Sequence, residues 1–196
     1  MWSGDARSTR RSCRDAVIGA PLRVCVTGPE STGKTTLAKE LATWAEAPWV
    51  PEASRMYAER VGRALLASDV EPIAREHMVL ADRGIAQAAT LGARSLFLDT
   101  DLVSTVIYAR HYYGAVPRWI ERDARTRLAH LYLLCDVDVP WVRDGIRDRP
   151  TDRREMFGLF RRALARRGAV VVIVRGDWSA RLQLAREAVS SLQAFA

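Results

Sequence analysis

Short apolar runs alternate with longer stretches in which apolar residues recur at helical spacing, and this alternation continues from about residue 21 to the end of the chain. Leu22 to Thr27 reads as a strand, followed by a glycine-rich turn. A helix is then expected from about residue 34 to 47, with Leu37, Leu41 and Trp44 on one face. Trp49 to Pro51 is a short second strand, and Tyr57, Val61 and Leu65 repeat at helical spacing after it. A longer helix begins near Pro72 and carries the seam Met78, Ala81, Ile85 and Ala88. Ser95 to Asp99 is a third strand, Leu102 to Tyr113 a helix stopped by Gly114, and Pro117 to Leu128 a charged, exposed helix. His130 to Cys135 is the fourth strand. Asp152 and Glu155 mark the start of a helix that buries Phe157, Phe160 and Leu164 and ends at Gly168. Ala169 to Val174 is the fifth strand, and Trp178, Leu182, Ala185, Val189 and Leu192 line the last helix.

Strands that alternate with helices in this way predict an α/β domain built on a mostly parallel sheet. The 196 residues suffice for one such domain, assigned to 21–196. Residues 1–20 are rich in Arg, Ser and Gly and lack the apolar stretch of an export signal, so they are read as a disordered lead-in. No run is long enough to span a membrane.

The net charge is +7, and Lys34 and Lys39 are the only lysines. The arginines are scattered between apolar residues instead of forming one tract. Small anionic nucleotides, and not nucleic acid, are therefore the expected partners. Cys13, Cys25 and Cys135 stand far apart with no C-x-x-C pair, which argues against a disulfide framework and for a cytoplasmic location.

The strongest chemical signal is Gly28-Pro-Glu-Ser-Thr-Gly33-Lys34-Thr35, a complete G-x-x-x-x-G-K-[ST] sequence between an apolar strand and an amphipathic helix. Gly28 and Gly33 let the backbone turn so that the amides around Glu30, Ser31 and Thr32 face a triphosphate. The next helix presents its positive end to the same spot. Lys34 supplies a cation for the β and γ phosphates, Thr35 a hydroxyl for Mg²⁺, and Thr36 support for the α phosphate. The motif predicts ATP binding without separating a kinase from other P-loop proteins.

Ligands of open α/β sheets bind beyond the carboxyl ends of the strands. Glu52, Asp99, Asp101 and Asp136 all fall there. Asp99 follows an apolar strand and is expected to hold Mg²⁺ directly or through water. Glu52 and Arg55 can supply the two things an acceptor hydroxyl needs, a carboxylate and a cation for the developing charge. Asp99 and Asp101 remain rival bases. The arginine-rich stretch from Val139 to Thr151 suits a lid closing over ATP, with Arg147 the first candidate for phosphate contact and Arg149 and Arg153 behind it.

Gly28 to Thr36, Pro51-Glu-Ala-Ser-Arg55-Met-Tyr57, Leu96-Phe-Leu-Asp-Thr-Asp101 and Trp141-Val-Arg-Asp-Gly-Ile-Arg147 together resemble the nicotinamide riboside kinase domain of NadR-type proteins, from about residue 22 to the C-terminus. That resemblance implies a five-stranded parallel sheet of nucleotide-kinase type, with helices on both faces and an arginine lid. It implies ATP- and Mg²⁺-dependent phosphorylation of the ribose 5′-hydroxyl of nicotinamide riboside, a step of NAD salvage. Under it, Lys34 and Thr35 hold ATP and Mg²⁺, and Asp99 and Asp101 serve metal or ribose. Glu52 and Arg55 face the substrate, and Arg147 belongs to the lid. The H-x-G-H signature of the adenylyltransferase part of such proteins is absent, so that activity is not expected. A flat cationic base suits an aromatic wall, for which Tyr57 and Tyr112 are chosen from Tyr57, Tyr108, Tyr112, Tyr113 and Trp119. The competing readings are a nucleoside or deoxynucleoside kinase for another base, and a P-loop regulatory ATPase with no small acceptor.

Overall fold

The computed structural model describes residues 20–140 and 152–195. The expectations for the N-terminal lead-in, apart from Ala20, and for Arg147 and Arg149 lie outside these residues. Five strands form one parallel sheet in the order β2-β3-β1-β4-β5. They are β1 Leu22–Thr27, β2 Trp49–Val50, β3 Ser95–Asp99, β4 Leu131–Cys135 and β5 Val171–Val174. Every pairing is parallel; Val26 lies beside Asp99, and Thr27 beside Leu134. All strands therefore finish at one edge of the sheet, where the glycine-rich turn and the strand-end acids collect.

Because both faces are covered, β3 and β4 are buried at every position. The pleat divides their side chains between two cores. On one face Val24, Val26, Phe97, Leu131, Leu133 and Val174 pack against α1 (Lys34–Trp44) and α7 (Trp178–Ala194). On the other, Cys25, Val50, Leu96, Leu98, Tyr132 and Leu134 meet α3 (Val70–Leu91), α4 (Leu102–Tyr113), α5 (Arg118–Thr126) and α6 (Arg153–Ala165). The remaining helix, α2 (Ala53–Val61), follows β2.

Three expectations differ from the structure in instructive ways. The repeat through Tyr57, Val61 and Leu65 stops short, because Gly62 takes a left-handed conformation (φ 64°) and closes α2. Leu65 then belongs to a loop. The long helix starts at Val70, two residues before Pro72, after a single 3₁₀ turn at Ala67–Asp69. Trp44 and Trp178, placed on apolar faces by periodicity, are each 38% exposed. Among the described residues no helix is long and apolar enough to cross a membrane.

Candidate active site

The phosphate loop joins β1 to α1. Gly28 has φ 136°, and a Cβ there would lie 2.8 Å from the Cys135 carbonyl oxygen. The loop thus passes so close to the end of β4 that only glycine fits. Ser31 (φ 51°) and Gly33 (φ 80°) also take left-handed conformations, which turn successive amides around a concave loop. The Pro29 carbonyl accepts from Lys34 Nζ at 2.7 Å and from Thr32 Oγ1 at 2.8 Å, so the loop is closed on itself. Thr36 is exposed one position further into α1.

Thr35 Oγ1 donates to Asp99 Oδ2 at 2.5 Å, which brings the first turn of α1 to the end of β3. The other oxygen, Asp99 Oδ1, is buried with no hydrogen-bond partner among the described residues. A buried carboxylate oxygen left without a partner beside a threonine hydroxyl fits a hard divalent cation, which takes few protein ligands and fills its shell with water and phosphate oxygens. Burial, reinforced by the nearby Glu52 carboxylate, pushes the Asp99 carboxyl up to about 6. The Thr35 hydrogen bond and the Lys34 and Arg55 cations pull the other way.

Glu52 sits at the N-cap of α2, buried to 6% exposure. Its Oε1 accepts from Ser54 Oγ at 2.6 Å, and its Oε2 lies 3.9 Å from Arg55 Nε. Glu52 also lines a cavity of about 330 Å³ that opens between α2, α3 and α4. Thr100, Ser104 and Thr105 provide its other polar lining, and the apolar Leu65, Leu66, Val70 and Ile73 and the aromatic Tyr108, Tyr112 and Tyr113 complete it. Tyr108 and Tyr112 are stacked with centroids 5.9 Å apart. The Tyr112 hydroxyl reaches Glu30 Oε1 at 3.5 Å and so joins this lining to the phosphate loop. Tyr113 donates to the Leu65 carbonyl at 2.8 Å and holds the loop after α2 against α4.

Two expected site residues lie behind the site. Asp101 caps α4: its Oδ1 accepts from the amides of Val103 (3.0 Å) and Ser104 (3.3 Å), and its Oδ2 from the Tyr132 hydroxyl (2.5 Å). Thr100, at φ 66°, makes the turn that sends Asp99 towards Thr35 and Asp101 into the helix cap. Asp101 thus caps α4 and lines a small cavity of about 30 Å³ between α3, α4 and α5, and not the 330 Å³ one. Tyr57 is likewise absent from the large cavity's lining; its hydroxyl donates to Asp69 at 3.2 Å and Arg60 lies over its ring. Asp69 also receives Arg63 and the Leu66 amide, which fixes the loop carrying Leu65 and Leu66.

Two arginines touch the phosphate loop, one named from the sequence behind Arg147 and one that sequence reasoning missed. Arg153, a reserve candidate for the lid, donates to the carbonyls of Ser31 and Val139 at 3.1 Å. Arg181, on α7, is 1% exposed and reaches the Thr32 carbonyl at 3.0 Å. The signal for Arg181 was present: it falls between Trp178 and Ala185 on the apolar stripe of α7, where a charge is out of place.

The strand order, the glycine-rich loop and the aspartate at the end of β3 define a P-loop protein with the nucleotide-kinase sheet. Residues 23–181 match the model of an AAA domain family, and the chain belongs to that family. It is 30% identical over 142 residues to the trifunctional NAD biosynthesis/regulator protein NadR of Escherichia coli (strain K12), covering 69% of this chain and 34% of that protein. Against the protein of the same name from Salmonella typhimurium it is 30% identical over 128 residues, covering 63% and 30%. The chain thus spans about a third of the length of the curated relatives it matches. Among solved structures, a NadR protein in complex with NR superposes with TM-score 0.74 at 26% identity, over 89% of this chain and 52% of that one. A NadR protein in complex with NAD and AMP-PNP gives the same TM-score and identity, over 89% and 50%. Thymidylate kinase from Ehrlichia chaffeensis shares the fold at TM-score 0.60 and 14% identity, over 89% and 99%.

Proposed function

We propose that this protein is a kinase that transfers the terminal phosphate of ATP to the ribose 5′-hydroxyl of nicotinamide riboside, giving nicotinamide mononucleotide. The observation that carries the reading is the meeting of Glu52 and Asp99: one carboxylate lines an open cavity of nucleoside size, and the other touches the phosphate loop. A bare ATPase has no need of such a cavity. Similarity to NadR proteins, one solved with NR and one with AMP-PNP, supports the choice of acceptor and donor.

In this reading the nucleoside enters beneath Tyr108 and Tyr112, whose faces suit a flat cationic ring. Glu52 orients the acceptor hydroxyl and takes its proton as the oxygen attacks the γ phosphorus. The bond to the β–γ bridging oxygen breaks and ADP leaves. Lys34 and the loop amides hold the charge that builds on the phosphates, and Arg55, beside Glu52, adds a cation at the acceptor side. Thr35 and Asp99 would hold Mg²⁺, which when bound neutralises phosphate charge. The arginines at 147 and 149 are assigned to a lid that keeps water from the γ phosphate. We place residues 21–196 in one kinase unit working in the cytoplasm, where Cys25 and Cys135 remain buried thiols.

The test is a panel of nucleosides, including nicotinamide riboside, incubated with ATP and Mg²⁺ while ADP release and product mass are followed. A product heavier than nicotinamide riboside by one phosphoryl group is expected. Phosphorylation of thymidine or cytidine alone would replace the acceptor, and hydrolysis indifferent to every acceptor would end the kinase reading.

A further inference from the structure

Arg181 is the largest fully buried side chain among the described residues, and it spends its guanidinium on main-chain oxygens. Nε donates to the Gly176 carbonyl at 3.0 Å, Nη1 to Thr32 at 3.0 Å and Nη2 to Asp136 at 3.1 Å. Nη2 also pairs with Asp138 Oδ1, while Asp138 Oδ2 accepts from the Gly176 amide at 2.6 Å. One cation therefore joins the phosphate loop, the end of β4 and the turn between β5 and α7. Burying it costs several kcal/mol unless its hydrogen bonds are met, so a role confined to packing would be served better by an apolar residue on this stripe.

The geometry of the peptide group says what the arrangement achieves. No peptide bond is cis among the described residues, so each carbonyl points opposite to the amide N–H of the next residue. With the Thr32 carbonyl held by Arg181, the Gly33 N–H points away from the guanidinium. Trp178, one turn earlier on α7, would lie 3.4 Å from a Cβ on Gly33, so α7 approaches the loop at this residue too. Arg153 does the same for the peptide before, by holding the Ser31 carbonyl and turning the Thr32 N–H away from itself.

We propose that Arg181 is a positioning residue for the phosphate-binding amides: it fixes the Thr32–Gly33 peptide from behind, so that the Gly33 N–H is preset to donate to a nucleotide phosphate. This rests on the ATP-binding reading given above. It acts on the donor half of the reaction and leaves the acceptor cavity alone, since Arg181 is not among that cavity's lining residues.

The test is Arg181→Lys, which keeps the charge but replaces a three-nitrogen fork with one ammonium group. Folding is checked by circular dichroism and by the melting temperature without nucleotide. The KM for ATP and the stabilisation by ATP are then compared with wild type. The expected result is a folded protein whose KM for ATP rises roughly tenfold or more, whose ATP-induced thermal shift shrinks, and whose KM for the nucleoside is unchanged. A folded Arg181→Lys protein with wild-type KM for ATP, or with both KM values raised alike, overturns the proposal while leaving the kinase reading intact. Wild-type protein that shows no ATP-induced shift removes the reading beneath it as well. Should Arg181→Lys not fold, Asp138→Ala, at a side chain 35% exposed, loosens the same guanidinium. It is expected to raise the KM for ATP several-fold with the nucleoside KM unchanged, and no change in either KM overturns the proposal.

Discussion

Thr35 and Asp99, 64 positions apart in the chain, share a hydrogen bond of 2.5 Å between the first turn of α1 and the end of β3. The contact follows from the sheet: β1 and β3 are parallel neighbours with Val26 beside Asp99, so the loop leaving β1 must pass over the acid ending β3. Asp99→Asn keeps the size of the side chain and removes its charge. A loss of roughly 10²-fold or more in kcat is expected, as for other losses of charge stabilisation at a reacting centre. Steady-state ADP release over a Mg²⁺ series checks it, with a melting temperature at neutral pH at or above that of wild type, since a buried charge held near Glu52 is removed.

Glu52→Gln separates a base from a binding group. Loss of general-base catalysis costs about 10²–10⁴-fold, so kcat is expected to fall by at least two orders of magnitude with little change in the nucleoside KM. If KM rises and kcat holds, Glu52 binds the nucleoside and another carboxylate takes the proton.

The conditions that unfold the protein are also set near the cavity. Burial, with a contribution from Arg127 against the opposing Asp82, holds the His77 imidazole at about 4, below its ordinary 6.5. Between those two pH values the unfolded chain takes up a proton that the folded chain refuses. Stability contributed by neutral His77 is therefore full above pH 6.5 and declines as the pH falls towards 4, by about 3 kcal/mol in total. Asp99 runs in the opposite sense, since its raised folded value of about 6 makes protonation on acidification favourable to the fold. Urea denaturation of His77→Leu and wild type at each pH isolates the histidine: the variant is expected to lack this decline.

Two glycines inside helices should respond oppositely to alanine. At Gly84 in α3 an added Cβ would lie 2.7 Å from Val50 Cγ2 and 2.9 Å from Leu96 Cδ1, so the helix could no longer sit as close to the sheet. Overpacking of about 1–3 kcal/mol exceeds the gain in helix propensity of about 1 kcal/mol, and Gly84→Ala is expected to lower the melting temperature. At Gly158 in α6 the nearest atoms belong to the flexible end of Arg162, at 3.1 Å and beyond. Gly158→Ala is expected to raise stability by about 0.5–1 kcal/mol in the same denaturation experiment.

The donor side of the site was legible because its chemistry is local. The glycine-rich loop is contiguous, and the strand before it and helix after it have different periods, so both the elements and the placement of Lys34 and Thr35 at the start of α1 follow from one stretch of chain. The acceptor side was less so. Leu65 looked like the third member of a helical seam, yet Gly62 ends α2 and turns Leu65 into a wall of the cavity. Tyr57 and Tyr112 had equal claims as aromatic neighbours, and only the packing of α4 against the phosphate loop separates them. Asp101 shared a strand end with Asp99, but the left-handed Thr100 sends the two carboxylates in different directions. Arg181 was hidden by the same periodicity that found its helix, since a pattern of apolar positions passes over the charged residue among them.

The order β2-β3-β1-β4-β5 places the central strand between two territories. Glu52, Asp99 and the tyrosine wall stand on the β2–β3 flank, whereas Asp138, Gly176 and Arg181 gather on the β4–β5 flank. Each territory draws on its own span of chain, and only the loop leaving β1 belongs to both. Under the proposed function, an engineer could therefore reshape the pocket by exchanging wall side chains such as Leu65, Ile73 and Tyr108 while keeping Asp99 and β3, and leave the opposite flank's contacts with the loop unchanged, so that one scaffold becomes a chassis for different alcohols.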